Sequence, residues 1–182
     1  MINAELVFAA FLTIWGFIGI LRGWTRELFT TISLVLALFI YSIPNCSPNQ
    51  CVDQLLRPLV GNDTPVWRFI RQSLPFLVIA FFGYLGPIIT RVQIQGLSGR
   101  RLKIWLFAFA FGIANGYFLF STLTYWAFQA GVLGEYTNLF TPPPGGWQEF
   151  LFVKSAAPVI LSGSLLTAAL IGLVLFLIVV VV

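Results

Sequence analysis

Long apolar runs separated by short polar turns dominate this chain. The runs extend from Leu6 to Leu21, Leu28 to Ile43, Leu74 to Thr90, Ile104 to Ala130 and Val159 to Val182. A bilayer core of about 30 Å takes roughly 20 apolar residues in a helix, fewer where basic side chains at the ends reach back to the headgroups. Each run therefore predicts a membrane-crossing helix. The first two are short, and Arg22 and Arg26 between them are placed to complete the spans by snorkelling. The third contains Pro75, Gly83, Gly86 and Pro87, which are tolerated where neighbouring helices re-satisfy the backbone, and it is expected to kink. The fourth is longer than a perpendicular crossing needs, so it should tilt or project.

Two connections carry patterns of their own. After Asn62 and Asp63, Thr64 is placed to cap a helix with Pro65 as its first residue. Val66, Phe69, Ile70 and Leu74 then share one face, with Arg68 and Arg71 turned away, which predicts a helix lying in the membrane interface. Pro142, Pro143, Pro144, Gly145 and Gly146 form a rigid elbow, and Trp147, Phe150 and Leu151 follow it at helical spacing as a second interfacial candidate. The expected fold is an all-α polytopic membrane protein with about five transmembrane helices plus one or two interfacial helices. Its expected organisation is a four-helix membrane region over 1–130, with an outer loop over 44–73 between two hairpins. An outer Pro/Gly-containing connection over 131–157 and an additional C-terminal transmembrane helix over 158–182 complete it.

Composition agrees with that reading. Of 182 residues, 59% are hydrophobic and 9% charged, too little polar surface to coat a water-soluble domain. No Lys or Arg precedes the first run and no small-residue cleavage site follows it, so a removable secretory signal is not expected. The formal net charge of +4 does not point to nucleic acid, because the basic residues never form a dense run with interleaved aromatics. They instead predict topology, since cytoplasmic loops are enriched in Lys and Arg. One side of the membrane would hold Arg22, Arg26, Arg91, Arg100, Arg101 and Lys103 against Glu27 alone. The other would hold Arg57, Arg68, Arg71 and Lys154 against Glu5, Asp53, Asp63, Glu135 and Glu149. The basic side is expected to be cytoplasmic, with the N-terminus outside and the C-terminus inside. Trp24 and Trp105 fall at the proposed inner boundary, Trp67, Trp126 and Trp147 at the outer one, and only Trp15 lies within a span.

The stretch GILRGWTRELF, Gly19 to Phe29, concentrates charge between two uncharged runs. A helical hairpin turn accounts for it: Thr25 would cap the second span, Glu27 would complement the positive end of that helix, and Trp24 and Phe29 would staple it. The same turn, Arg22, Gly23, Trp24, Thr25, Arg26, Glu27, resembles the Arg-Gly-aromatic-x-Arg-Glu signature of the colicin V production protein family of small bacterial inner-membrane proteins. The segment GRRLKIWLFAFAFGIANGYFLF, Gly99 to Phe120, is similar to that family's basic turn and glycine-bearing last span. The resemblance covers roughly residues 4–130. The chain departs from it where Arg100 and Arg101 replace an Asp-Arg pair, where Asn115 and Gly116 replace an Arg-Gly pair, and in its fifth span. The resemblance implies a bacterial inner-membrane protein associated with export of a peptide toxin and with envelope integrity, acting by binding.

The chain has no histidine, the commonest general base and haem ligand. Cys46 and Cys51 are its only thiols, too few for a tetrahedral zinc or iron-sulfur site, and their spacing allows either a disulfide or two free thiols. No Asp or Glu is expected inside a span, and no phosphate-binding loop or nucleophile elbow occurs. The expectation is a protein without catalytic, metal or cofactor sites. What remains is packing. Gly19 with Gly23, Gly112 with Gly116, and Ala168 with Gly172 are spaced four apart, which lets helix backbones approach closely in lipid. Asn115 beside Gly112 and Gly116 offers an interhelical hydrogen bond. A non-catalytic scaffold is the leading functional expectation, with lipids and other integral membrane proteins as partners. The alternative is an accessory or assembly subunit of a larger respiratory or photosynthetic membrane complex, shaping lipid or quinone access. A small channel or transporter comes third.

Overall fold

The computed structural model describes residues 2–42, 64–85, 101–135, 140–141, 146, 151–161 and 163–181. The long helices are α1 (Ala4–Arg22), α2 (Trp24–Ser42), α3 (Pro65–Leu85), α4 (Arg101–Ala130) and α8 (Ser164–Val181). The short ones are α5 (Val132–Glu135), α6 (Leu151–Lys154) and α7 (Ala157–Ile160). Among the described residues the only extended pairing is two residues long, β1 (Ile2–Asn3) beside β2 (Phe140–Thr141) in parallel. Helices α1 to α4 are long and apolar enough to cross a membrane.

The helix directions follow from who touches whom. On α1 and α4, Phe8 meets Phe120 while Gly19 meets Gly112, so the two run antiparallel. On α2 and α4, Thr31 meets Asn115 while Tyr41 meets Trp126, so these run parallel. On α2 and α3, Thr30 and Ser33 meet Gly83 while Tyr41 meets Gln72, again antiparallel. Directions thus alternate along the chain. The α1–α2 turn and the end of α3 lie together at one end of the bundle, with α4 as the shared neighbour of α1, α2 and α3.

The packing is that of a protein whose solvent is apolar. Leu6, Ile14, Phe17, Phe81 and Phe82 are exposed, whereas Thr30, Thr31, Ser73, Asn115, Ser121 and Thr122 are buried. In lipid an exposed Phe costs nothing and an exposed amide costs a hydrogen bond, which inverts the arrangement expected in water. The core between α2, α3 and α4 is built on Leu34, Leu38, Phe76, Ala80 and Trp126. Tyr41 stacks on Trp126 at 4.9 Å between ring centroids, Phe76 meets it edge-on at 5.3 Å, and the Tyr41 hydroxyl donates to the Gln72 carbonyl at 2.7 Å.

The structure differs from the sequence expectation at several places. Residues 65–73 are not a separate interfacial helix: α3 runs unbroken from Pro65 to Leu85 with Pro75 inside it. Thr64 does cap it, its hydroxyl accepting from Trp67 N at 3.4 Å. Arg68 is exposed but Arg71 is buried, so the two arginines are not both turned to the surrounding medium. Trp126 is a core residue and not a boundary anchor, because α2 and α3 flank it. The last apolar run is two helices, α7 and α8, separated where Gly163 takes a positive φ of 60°. Cys46, Cys51, Arg91, Arg100 and Trp147, and the prolines of the elbow, lie outside the described residues.

Candidate functional site: a buried polar node beneath the α1–α2 turn

A single residue, Gly23, joins α1 to α2. Its N–H donates to the Gly19 carbonyl at 2.9 Å, closing α1, and its carbonyl accepts from Glu27 N at 3.3 Å, opening α2. Its φ is +88°, a conformation that glycine adopts freely and L side chains rarely do, although a Cβ here would meet nothing within 4 Å. Because α2 starts at Trp24, Thr25 lies inside the helix and does not cap it. Glu27 is correspondingly within the apolar helix and not before it, which corrects the expectation that no acid lies in a span.

Glu27 is 1% exposed and is held from two sides. Arg22 Nη1 lies 2.7 Å from Glu27 Oε1, and Asn115 Nδ2 donates to Oε2 at 2.8 Å. Asn115 itself is fully buried. Its amide also donates to the Glu27 carbonyl at 2.9 Å, and its oxygen accepts from the Thr31 hydroxyl at 2.7 Å. Both amide hydrogens and the amide oxygen are thereby used. The Arg22 guanidinium, 19% exposed, donates from Nη2 to the Tyr84 carbonyl at 3.2 Å and stands 4.2 Å over the Tyr84 ring. The Tyr84 hydroxyl accepts from Trp15 Nε1 at 2.8 Å.

The chain of contacts returns to α4 through glycine. A Cβ on Gly116 would lie 2.8 Å from Cβ and Cγ of Trp15. A Cβ on Gly112 would lie 2.6 Å from the Trp15 carbonyl oxygen and 3.0 Å from Gly19 Cα. Those atoms belong to backbone, which cannot swing aside, so only glycine permits this separation of α1 and α4. One closed circuit therefore links α1 (Trp15, Gly19, Arg22), α2 (Glu27, Thr31), α3 (Tyr84) and α4 (Gly112, Asn115, Gly116).

The structure brings together residues that the sequence placed in two separate groups. Of the turn, Arg22, Gly23 and Glu27 build the node, while Trp24 is half-buried and Arg26 exposed. The helix-packing set Gly112, Asn115 and Gly116 faces α1 and α2 of the same chain. Of the other small-residue pairs, Gly19 meets α4 but Gly23 is the turn, and Gly172 has nothing within 4 Å. Trp15, Thr31 and Tyr84 went unrecognised in the sequence. Trp15 carried a signal, as the one indole within a span, because a buried indole N–H needs an acceptor.

Among the described residues no group of three or more His, Cys, Asp or Glu is placed to hold a metal ion. No family model, no curated protein and no solved structure matches this chain.

Proposed function

We propose that the protein is a non-catalytic integral membrane scaffold of the bacterial inner membrane. The observation that carries this reading is the occupancy of the node. Both Glu27 carboxylate oxygens, both Asn115 amide hydrogens and the Asn115 oxygen are engaged by the chain's own groups. A carboxylate so engaged and 1% exposed holds helices together, and its burial keeps a substrate's proton out of its reach. With α8 as a fifth crossing, the chain has its N-terminus outside and its C-terminus inside, as the concentration of Arg and Lys on one side argues. The Arg22-to-Glu27 turn is the ground for placing it beside the colicin V production proteins and their role in envelope integrity.

Deleting the gene in its host is expected to raise envelope permeability to detergents and dyes. Plasmid-borne wild-type protein is expected to reverse this, and Glu27→Ala is not. A deletion strain with unchanged permeability overturns the envelope role. Purified protein in proteoliposomes is expected to leave ion and dye flux at the level of empty vesicles; sustained flux would replace the scaffold with a channel.

A further inference from the structure

Residues 151–161 contain two short helices and a non-helical break at Ser155 and Ala156. Such a break is ordinary in water, where solvent satisfies the freed backbone groups, but here α4 satisfies them. The Tyr117 hydroxyl donates to the Ser155 carbonyl and sits 2.9 Å from the Ser155 hydroxyl. Ser121 Oγ accepts from Ala157 N at 3.2 Å. Inside the segment, Ala156 N reaches the Val153 carbonyl at 3.4 Å, and the Ala156 carbonyl accepts from Val159 N and Ile160 N at 2.8 and 3.0 Å. Pro158 is the second residue of α7, in the first turn, where a missing N–H removes no helical bond.

The level of these contacts is deep. Val153 shares a cluster with Phe8 and Leu12 of α1. Those residues lie three and seven positions beyond Glu5, about 5–10 Å along the helix axis. Tyr117 and Ser121 lie about 14–20 Å from the C-terminal end of α4 by the same rise. The outward face of α7 is apolar, with Val159 44% and Ile160 50% exposed, while Ala156 and Ala157 are buried against the bundle. The segment also crosses α4 from side to side. Val153 belongs to the Phe8 cluster beside α1, and Ala157 and Leu166 belong to the Leu34, Phe76 and Trp126 cluster beside α2 and α3.

We infer that residues 151–161 form a re-entrant strap. It dips into the membrane at the end that holds the α1 N-terminus, is clasped across α4 by Tyr117 and Ser121, and moors α8 to the bundle. The inference takes α1 to α4 as membrane-crossing and does not depend on the scaffold role. Non-helical backbone at membrane depth requires protein partners, and Tyr117 and Ser121 are those partners. Releasing them frees the strap, and with it α8, whose described contacts with the core centre on Leu166 and Leu170.

The test uses the full chain in liposomes with Cys46→Ser and Cys51→Ser as background. A nitroxide at Val159→Cys, an exposed position, is expected to be relaxed by oxygen, which concentrates in lipid, severalfold more than by a water-soluble nickel chelate. Relaxation dominated by the nickel chelate overturns the membrane depth. For the mooring, a nitroxide pair at Leu36→Cys and Ile171→Cys reports the α2–α8 distance. With Tyr117→Phe and Ser121→Ala that distribution is expected to broaden, while a control pair at Phe17→Cys and Phe107→Cys on α1 and α4 stays narrow. An unchanged α2–α8 distribution, or equal broadening of both pairs, overturns the clasp.

Discussion

Helices α1 and α8 are nearly the same length, 19 and 18 residues, and both are apolar, yet they are held in different ways. Along α1, Gly16 and Gly19 sit against Phe109, Ile113 and Gly112, Trp15 covers Gly116, and Arg22 closes the end with an ion pair. Among the residues of α8 whose side chains are described, Ala168 is exposed, Gly172 has no neighbour within 4 Å, and Leu166 and Leu170 reach the core. The sequence of α8 is the more hydrophobic. In lipid that counts for little, because acyl chains solvate leucine as well as another helix does. What distinguishes a held helix from an adjacent one is backbone proximity and polar bonds with no better partner.

The largest loss of stability is expected at Glu27. Glu27→Ala leaves Arg22 without its carboxylate and deprives Asn115 of an acceptor, and removal of one member of a buried pair costs about 3 kcal/mol. Unfolding in mixed micelles with increasing dodecyl sulfate should show that loss. Next comes Gly112→Leu, which forces α1 and α4 apart against backbone atoms and should cost about 2–3 kcal/mol. Its counterpart Gly172→Leu should fall within about 0.5 kcal/mol of wild type, since no neighbour is displaced. Asn115→Leu removes three hydrogen bonds, one to a charged group, and is expected to cost about 1–2 kcal/mol in the same assay. Arg22→Lys keeps the charge but cannot reach Glu27 and the Tyr84 carbonyl with a planar fork, a loss of about 1 kcal/mol. Arg26→Lys, at an exposed position, should be silent. Equal effects of Arg22→Lys and Arg26→Lys would return both arginines to the role of headgroup anchors.

The four long apolar helices were legible because each is a run of hydrophobic residues bounded by charge or proline, and that pattern depends only on bilayer thickness. Their exact partners were not. Gly112 and Gly116 gave a signal through spacing, but Ala168 and Gly172 gave the same signal although Ala168 is exposed and Gly172 has no neighbour within 4 Å, because spacing says nothing about which faces meet. The continuity of α3 was hidden because Arg68 and Arg71 gave residues 65–73 the pattern of a helix lying in the interface, although Pro75 itself was compatible with a span. Glu27 was assigned to a turn since a carboxylate in an apolar helix is unfavourable alone. Its burial depends on Arg22 five residues earlier and Asn115 eighty-eight residues later, and the second of these is visible only in three dimensions. The role of Tyr84 was likewise out of reach, since nothing along the chain connects it with Trp15.

A polar circuit between Glu27 and Asn115 ties the α1–α2 turn to the middle of α4. A double-mutant cycle in mixed micelles tests it most directly, comparing Glu27→Ala, Asn115→Ala and the double variant with wild type. A coupling energy of about 1 kcal/mol or more is expected, since the two side chains share a hydrogen bond. Additivity within about 0.3 kcal/mol, the behaviour of independent sites, would mean that Glu27 and Asn115 do not act on one another and that the circuit does not hold the helices together.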